Sequence, residues 1–237
     1  MSKHFKQLKK MHRELRDDCF EKEFNIRIHR SLSWLNRAEQ EDKDMDAKFI
    51  FLWISLNSAY SIHLNTYERH ADEGLRLDFF KTLLKNGQDK IHVIIYKRFF
   101  QEVKSILDNA FILTSFWQGK KDWKTKLKNE KKAVQDALRN RNDLQVLTLK
   151  NEKKAVRDTL RDRNDTDYIL GILFRRLYVL RNQIFHGGAT WQGKLNRQQV
   201  EDGASLLSYL VPVMLEIMMK NPKDNWGILA YPPTADD

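Results

Sequence analysis

Cysteine, proline and glycine are all scarce in this chain of 237 residues, which has one cysteine, four prolines and nine glycines. The lone Cys19 excludes an internal disulfide and any zinc or iron–sulfur site built from several cysteines. A β-sandwich or β-barrel needs more turns than so few prolines and glycines would support, so the composition favours helices. Hydrophobic residues make up 41 % of the chain, which is enough for a buried core.

Long apolar runs are also missing. Residues 1–16 are basic and have no apolar centre, so they do not resemble a secretory signal. The longest apolar stretch, residues 206–219, is too short to span a bilayer and contains Pro212 and Glu216. We therefore expect a cytoplasmic protein that makes no membrane contact.

The positive charge is concentrated in two short segments. The chain has 42 Lys and Arg against 32 Asp and Glu, a formal net charge of +10. Residues 1–16 and residues 120–132 each have an excess of five basic side chains, and the remainder is neutral. Two basic segments on a neutral body favour contact with RNA, although lysine-rich helices are equally often only solvated. The lysines predicted to contact RNA are Lys3, Lys6, Lys9, Lys10, Lys120, Lys121 and Lys124.

Apolar residues recur at helical spacing through most of the chain, which predicts an all-α bundle forming a single helical domain over residues 1–237. Asp46 is expected to cap a helix whose apolar stripe runs from Phe49 to Tyr60. Asn86-Gly87 is expected to end another helix. The β-prone run at 91–96 also permits a strand, but one without an obvious partner.

Residues 171–222 are predicted to contain two more helices. Asp165 or Thr166 is expected to cap the first of them. Asn196 and Gln199 resemble a capping box for the second, which Pro212 should kink. An irregular tail is predicted over 223–237.

A tandem duplication precedes these helices. Residues 127–148 are followed by a second copy at 149–170, and 14 of the first 17 paired positions are identical. The pair predicts either one helix extended by about 33 Å or a helical hairpin that turns near 141–143 or 163–165. Two consequences of such an arm are possible. It changes the spacing between subunits or the way in which activity is restrained, or it is a neutral change in the length of a surface segment.

Arg181, Asn182 and His186 form the motif that could carry chemistry. Arg181 and Asn182 interrupt an apolar helix, and no acidic residue lies between Asp167 and Glu201 to pair with the cation. An arginine without an acidic neighbour has room for a phosphate group. The ordinary alternatives are a histidine that suits a helix C-terminus and an arginine that snorkels or pairs at an interface.

This motif, together with Gly187 to Trp191 and the helix at 200–219, resembles the HEPN superfamily, in particular its prokaryotic ribonuclease and toxin-like members. The resemblance extends over about 172–222. It implies a helical bundle that dimerises so that two Arg-x4–6-His motifs face each other. Arg181 and His186 would then catalyse metal-independent cleavage of RNA, supported by Asn182. It also implies a role in toxin or antiphage defence, an antitoxin or regulatory partner, and no cofactor.

RNA cleavage is consistent with these residue types because RNA carries its own nucleophile, the 2′-hydroxyl. A histidine can transfer the proton near neutral pH, and an arginine can hold the phosphate oxygens as their charge rises. One chain supplies one such histidine, whereas a two-fold dimer supplies an acid and a base. The alternative prediction is a non-catalytic helical module that binds RNA, a nucleotide or a protein partner.

Overall fold

The computed structural model describes residues 4–61, 71–147 and 152–232. Within these ranges the secondary structure is helical and includes no strand, so the prediction of an all-α protein is confirmed. The α-helices are α1 (His4–Cys19), α2 (Lys22–Glu39), α3 (Met45–Tyr60), α4 (Ala71–His92), α5 (Phe100–Asp108), α6 (Thr114–Trp117), α7 (Trp123–Leu147), α8 (Glu152–Phe185) and α9 (Arg197–Lys220). A π-helical segment at Val93–Arg98 and a 3-10 turn at Ala110–Ile112 complete the chain order.

The chain divides into two compact units. The first unit comprises Met1–Ile91 and Ala204–Asp237, and the second comprises His92–Gly203. The first therefore contains α1 to α3 and most of α4 and α9, whereas the second contains α5 to α8 and the motif. A single domain over 1–237 stays a prediction.

The core of the first unit is built on α2 and α3. The apolar stripe predicted for α3 is buried, with Phe49 and Trp53 at most 1 % exposed. Ser31 and Ser55 face each other across the two helices, and each hydroxyl donates to the other's backbone carbonyl, at 2.7 and 2.8 Å. Small side chains at this point let the helix backbones approach closely, so that their apolar neighbours interlock.

A buried arginine that the sequence did not reveal joins three segments of the first unit. Arg27 donates hydrogen bonds to the carbonyl oxygens of Ala59, Ser61 and Gly227, each at 2.9 Å. Burial lowers the pKa of Arg27 to about 10, and Glu23 acts in the opposite direction. The arginine thereby satisfies carbonyls at the end of α3 and holds the tail, whose described part, up to residue 232, contains no helix.

A buried histidine lies between α1 and α2. The His12 ring is 1 % exposed, and its Nε2 lies 2.7 Å from the Asn25 side-chain oxygen. Burial lowers the pKa of His12 below 6.5, and Lys9, His29 and Arg16 lower it further, whereas the Asn25 hydrogen bond raises it. Burial also lowers the pKa of His29.

We expect the free energy of unfolding to fall as the pH drops from neutral into the acidic range, because the unfolded chain takes up protons that His12 and His29 resist in the folded protein. The loss should begin as pH drops through 6.5 and end below the lowered folded-state values. The His12→Gln variant should show a flatter dependence, and the measurement is the urea midpoint at each pH. A wild-type midpoint that does not change with pH would contradict this assignment.

Two helix caps predicted in this part of the chain are wrong, and the strand that the run at 91–96 also permitted is not formed. Asp44, not Asp46, caps α3, because Asp44 has the extended backbone of a cap and its carboxylate accepts from Ala47 N at 3.0 Å. The run at 91–96 forms the end of α4 and part of the π-helical segment rather than a strand, because no strand lies beside it in the described chain. Asp165 and Thr166 cap nothing, because α8 begins at Glu152 and continues through both.

The helix end predicted at Asn86-Gly87 corresponds to a kink within α4. The backbone is non-helical at Gly87, with φ −148° and ψ 27°, and a second helical segment then continues to His92. The absence of a side chain has a packing reason, since a β-carbon at this position would overlap the side chain of Ile217 in α9. The glycine therefore marks a close approach of two helices.

Gly87→Ala should destabilise the protein by about 1–3 kcal/mol, the usual effect of overpacking a closed core. Ile217→Ala removes the atoms that the new methyl group meets, so the double variant should be more stable than the sum of the two single changes predicts. Urea midpoints of the four proteins measure this coupling. A Gly87→Ala protein as stable as wild type would show that the contact is loose.

The two copies of the duplication belong to different helices. The first lies in α7, which ends at Leu147, and the second lies largely in α8, which begins at Glu152. The positions 141–143 and 163–165, which the hairpin prediction named as turns, are both helical. The two helices contact each other through a buried ion pair between Arg176 and Glu130, at 2.6 Å.

Helix α9 agrees with the predicted final helix and runs through Pro212 without interruption. By length and composition alone it could cross a membrane. However, 72 % of its most apolar window is buried inside the protein, as in the core helix of a globular fold.

Candidate active site

The motif lies at the C-terminal end of α8. Arg181 is within the helix, Phe185 is its last residue, and the exposed His186 follows immediately. Gly187 has a positive φ of 69°, and the Ala189 N–H donates to the carbonyl of Gln183 at 3.0 Å, so the chain turns away sharply.

Arg181 has no carboxylate partner within the residues that the structure describes. Its Nη1 donates to the Asn182 side-chain oxygen at 2.9 Å, and its guanidinium carbon lies 3.9 Å from the centroid of the Phe185 ring. The Nε atom is buried and has no hydrogen-bond partner. The guanidinium therefore lies over the Phe185 ring and retains donors that an anion could use.

The same helix contains an arginine of the opposite kind. Arg176 is 2 % exposed and pairs with Glu130, whereas Arg181 is half-buried and pairs with a neutral amide. An ion pair explains the first arginine as part of the fold. Among the residues that the structure describes, no carboxylate neutralises Arg181, and this difference marks it as the candidate ligand for a phosphate.

A chain of amides holds the loop that follows His186. Gln183 donates to the carbonyl of Phe111 at 2.7 Å and accepts from Asn196 at 2.7 Å, and Asn196 accepts from Asn109 at 3.0 Å. These bonds connect the motif helix, the start of α9 and the 3-10 turn. They fix the end of the motif helix, and sequence patterns did not identify them.

The capping box predicted for α9 is wrong, although the helix begins where it was expected. The Asn196 side chain bridges Asn109 and Gln183, and the Gln199 side chain donates to Ser105 at 3.1 Å. Asn196 has a positive φ of 54°, a conformation that asparagine tolerates better than most residues. The two amide side chains form hydrogen bonds with residues distant in the sequence instead of a local capping box.

A cleft of about 410 Å³ lies beside the motif in the second unit. Its aromatic walls are Trp117 and Tyr178, and it reaches Asn182 of the motif. All of its side chains are uncharged. The lining residues are Thr114, Trp117, Gln118, Tyr178, Val179, Asn182, Gln183 and Gly188.

The basic side chains predicted to contact RNA fall into both units. Lys6 and Lys10 are exposed on α1, whereas Lys9 is half-buried and its pKa is lowered by burial and by neighbouring Arg13 and Arg16. Lys3 lies outside the described residues.

The second group precedes α7 and belongs to the same unit as the motif. Lys120, Lys121 and Lys124 are exposed, and the Lys124 ammonium lies 5.6 Å from the centroid of the Trp123 ring. In the part of the chain that the structure describes, no group of three His, Cys, Asp or Glu side chains is arranged to hold a metal ion.

Comparison with protein-family models, with curated proteins and with solved structures finds no match to this chain. The resemblance to HEPN proteins therefore depends on the motif residues and on the helix that follows them. Residue chemistry and geometry must supply the argument for function.

Proposed function

We propose that this chain is a metal-independent endoribonuclease of toxin or antiphage-defence type, and that its catalytic residues are Arg181, His186 and the supporting Asn182. One observation carries the proposal. Arg181 is held in place by Asn182 and by the Phe185 ring, has no carboxylate among the described residues, and is followed at the helix end by an exposed histidine.

The reaction uses the 2′-hydroxyl of RNA as the nucleophile. The 2′-oxygen forms a bond to phosphorus while the bond to the 5′-oxygen of the next nucleotide breaks. One histidine accepts the hydroxyl proton, and a second donates a proton to the departing oxygen. Arg181 stabilises the charge that grows on the phosphate oxygens, and Asn182 keeps its guanidinium aligned.

Two histidines are needed, whereas each chain has one in this motif. A homodimer in which two copies of α8 face each other would supply both, because a two-fold axis places equivalent residues opposite one another. The exposed basic segments would hold RNA by its backbone. As a cytoplasmic toxin the enzyme would need restraint, which an antitoxin or a regulatory protein would supply.

The test is to incubate the purified protein with RNA in EDTA beside DNA of the same sequence. We expect RNA fragments ending in a 2′,3′-cyclic phosphate and beginning with a free 5′-hydroxyl, and intact DNA, which lacks the nucleophile. Light scattering of the same sample should give the mass of a dimer. RNA that stays intact under all conditions would overturn the proposal, and tight RNA binding without products would favour the non-catalytic module.

A further inference from the structure

The aromatic wall of the cleft beside the motif is held rigidly although it faces solvent. Trp117 is 55 % exposed, yet its indole N–H donates to the Phe111 carbonyl at 2.7 Å and its ring meets Phe116 edge-on at 5.2 Å. The bond restrains the orientation of the ring, while more than half of the residue stays exposed. A fixed, exposed indole is suited to stacking on a flat partner.

The polar side chains of the cleft are uncharged, with three amides and the hydroxyls of Thr114 and Tyr178. The Gln183 amide donates to Phe111 and accepts from Asn196. The Asn182 side-chain N–H₂ and the Gln118 amide have no hydrogen-bond partner within the described chain. Amides offer both donors and acceptors, as the edges of nucleobases do. A cleft without charge favours a neutral ring over an ionic ligand.

Asn182 lines the cleft and also contacts Arg181, the proposed phosphate ligand. Its side-chain oxygen accepts from Arg181 at 2.9 Å. In RNA, the base and the 3′-phosphate are attached to the same ribose. A neutral ring in the neutral cleft would therefore bring a phosphodiester towards Arg181, whose partner among the described residues is the neutral amide of Asn182. The two sites complement the two halves of a nucleotide.

We propose that this cleft binds the nucleobase of the nucleoside whose 2′-hydroxyl attacks, and that it thereby selects the base after which RNA is cut. The inference rests on the proposed ribonuclease function. The volume of about 410 Å³ falls in the range of small-ligand sites, roughly 300–1,000 Å³. Trp117 supplies stacking, and Gln118 and Asn182 read the edge of the base.

The first experiment compares cleavage-site distributions on a mixed-sequence RNA. Wild type should prefer one base, or one class of bases, immediately 5′ of the cut. Trp117→Ala should lower cutting at preferred sites about tenfold, the typical effect of losing one base-stacking residue, and should flatten the preference. Trp117→Phe keeps a ring and should retain it. The control is Trp34→Ala, which changes an exposed tryptophan of the first unit and should alter neither quantity.

The second experiment separates the cleft from catalysis. Nucleoside 3′-monophosphates are titrated into the His186→Ala protein and into the His186→Ala, Trp117→Ala protein, and only the first should bind them with base selectivity. Unchanged cutting and unchanged binding in the Trp117→Ala proteins would overturn the inference while leaving the nuclease intact. Intact RNA with selective nucleotide binding would overturn only the proposed function. A Trp117→Ala protein that becomes monomeric but binds nucleotides normally would show that the cleft holds a second copy of the chain instead.

Discussion

His186→Ala should lower the rate of RNA cleavage about 10²–10⁴-fold, the range expected when a general acid or base is removed. The fold should be unaffected, because His186 is exposed and follows the last residue of α8. The change in unfolding free energy should therefore stay within about 0.5 kcal/mol, as for other surface substitutions. Initial rates on a labelled RNA, together with urea midpoints, measure the two effects separately.

Arg181→Ala should have an effect of similar size, roughly 10²–10³-fold, because it removes charge stabilisation at phosphorus. Arg181→Lys retains the charge but not the planar pair of donors, so it should recover only part of the rate. Arg37→Ala is a matched control. The guanidinium carbon of Arg37 lies 4.5 Å from the centroid of the Phe51 ring, much as Arg181 lies over Phe185, but Arg37 pairs with the Glu41 carboxylate at 2.7 Å.

The three alanine variants, at His186, Arg181 and Arg37, discriminate between a catalytic and a structural motif. A catalytic motif requires that both motif variants lose activity while Arg37→Ala retains it. The double variant of His186 and Arg181 should be little slower than either single variant, because residues that act together in one step are not additive. If either motif variant cuts RNA at the wild-type rate, the assignment of that residue is wrong.

Local features were predictable from the sequence where they depend only on residues that are close together along the chain. The buried stripe of α3 follows from helical spacing, and the start of α9 and the glycine turn after His186 follow from residues with strong backbone preferences. Even there, the identity of the capping residue depended on which of two candidate side chains caps the helix. Two aspartates flank the start of α3, and only the backbone conformation decides that Asp44 is the cap.

Features that depend on distant partners were not predictable. Arg27 donates hydrogen bonds to carbonyls 32 to 200 residues away along the chain. The amide chain through Gln183 and Asn196 spans from the motif helix to the 3-10 turn, and its members have no distinguishing pattern. A single sequence reveals helix faces but not which polar side chains meet after the helices pack. The cleft beside the motif was missed for this reason.

The Arg176–Glu130 ion pair leads to the largest expected effect on stability. Arg176 is 2 % exposed, and two of its nitrogens, Nε and Nη1, are already buried without partners. Burial lowers the pKa of Arg176, and the Glu130 carboxylate opposes this effect from 2.6 Å. Glu130→Ala would leave a buried cation with no counter-charge, so it should lower the free energy of unfolding by about 3–5 kcal/mol.

A neighbouring ion pair supplies the control. Lys131 pairs with Asp108 at 3.3 Å, but both side chains are at least a third exposed, so Asp108→Ala should cost at most about 1 kcal/mol. Replacing both buried partners, in Glu130→Leu with Arg176→Met, should restore much of the stability lost in Glu130→Ala, because no uncompensated charge remains. Urea midpoints of these variants measure the losses in unfolding free energy. Equal losses in Glu130→Ala and Asp108→Ala would contradict the prediction that the buried pair matters more.

This ion pair also gives the duplication a structural consequence. Glu130 belongs to the first copy, whereas Arg176 follows the end of the second copy. In a chain with one copy, the two residues would be separated by 24 positions, about 36 Å along a continuous helix, which is far beyond the reach of an ion pair. With both copies present, α7 and α8 are separate helices that meet at this pair. The Glu130 carboxylate therefore gives the first copy a buried contact with the helix that carries Arg181, and loss of its charge should weaken the packing of α7 on α8 at a point distant in sequence from the motif.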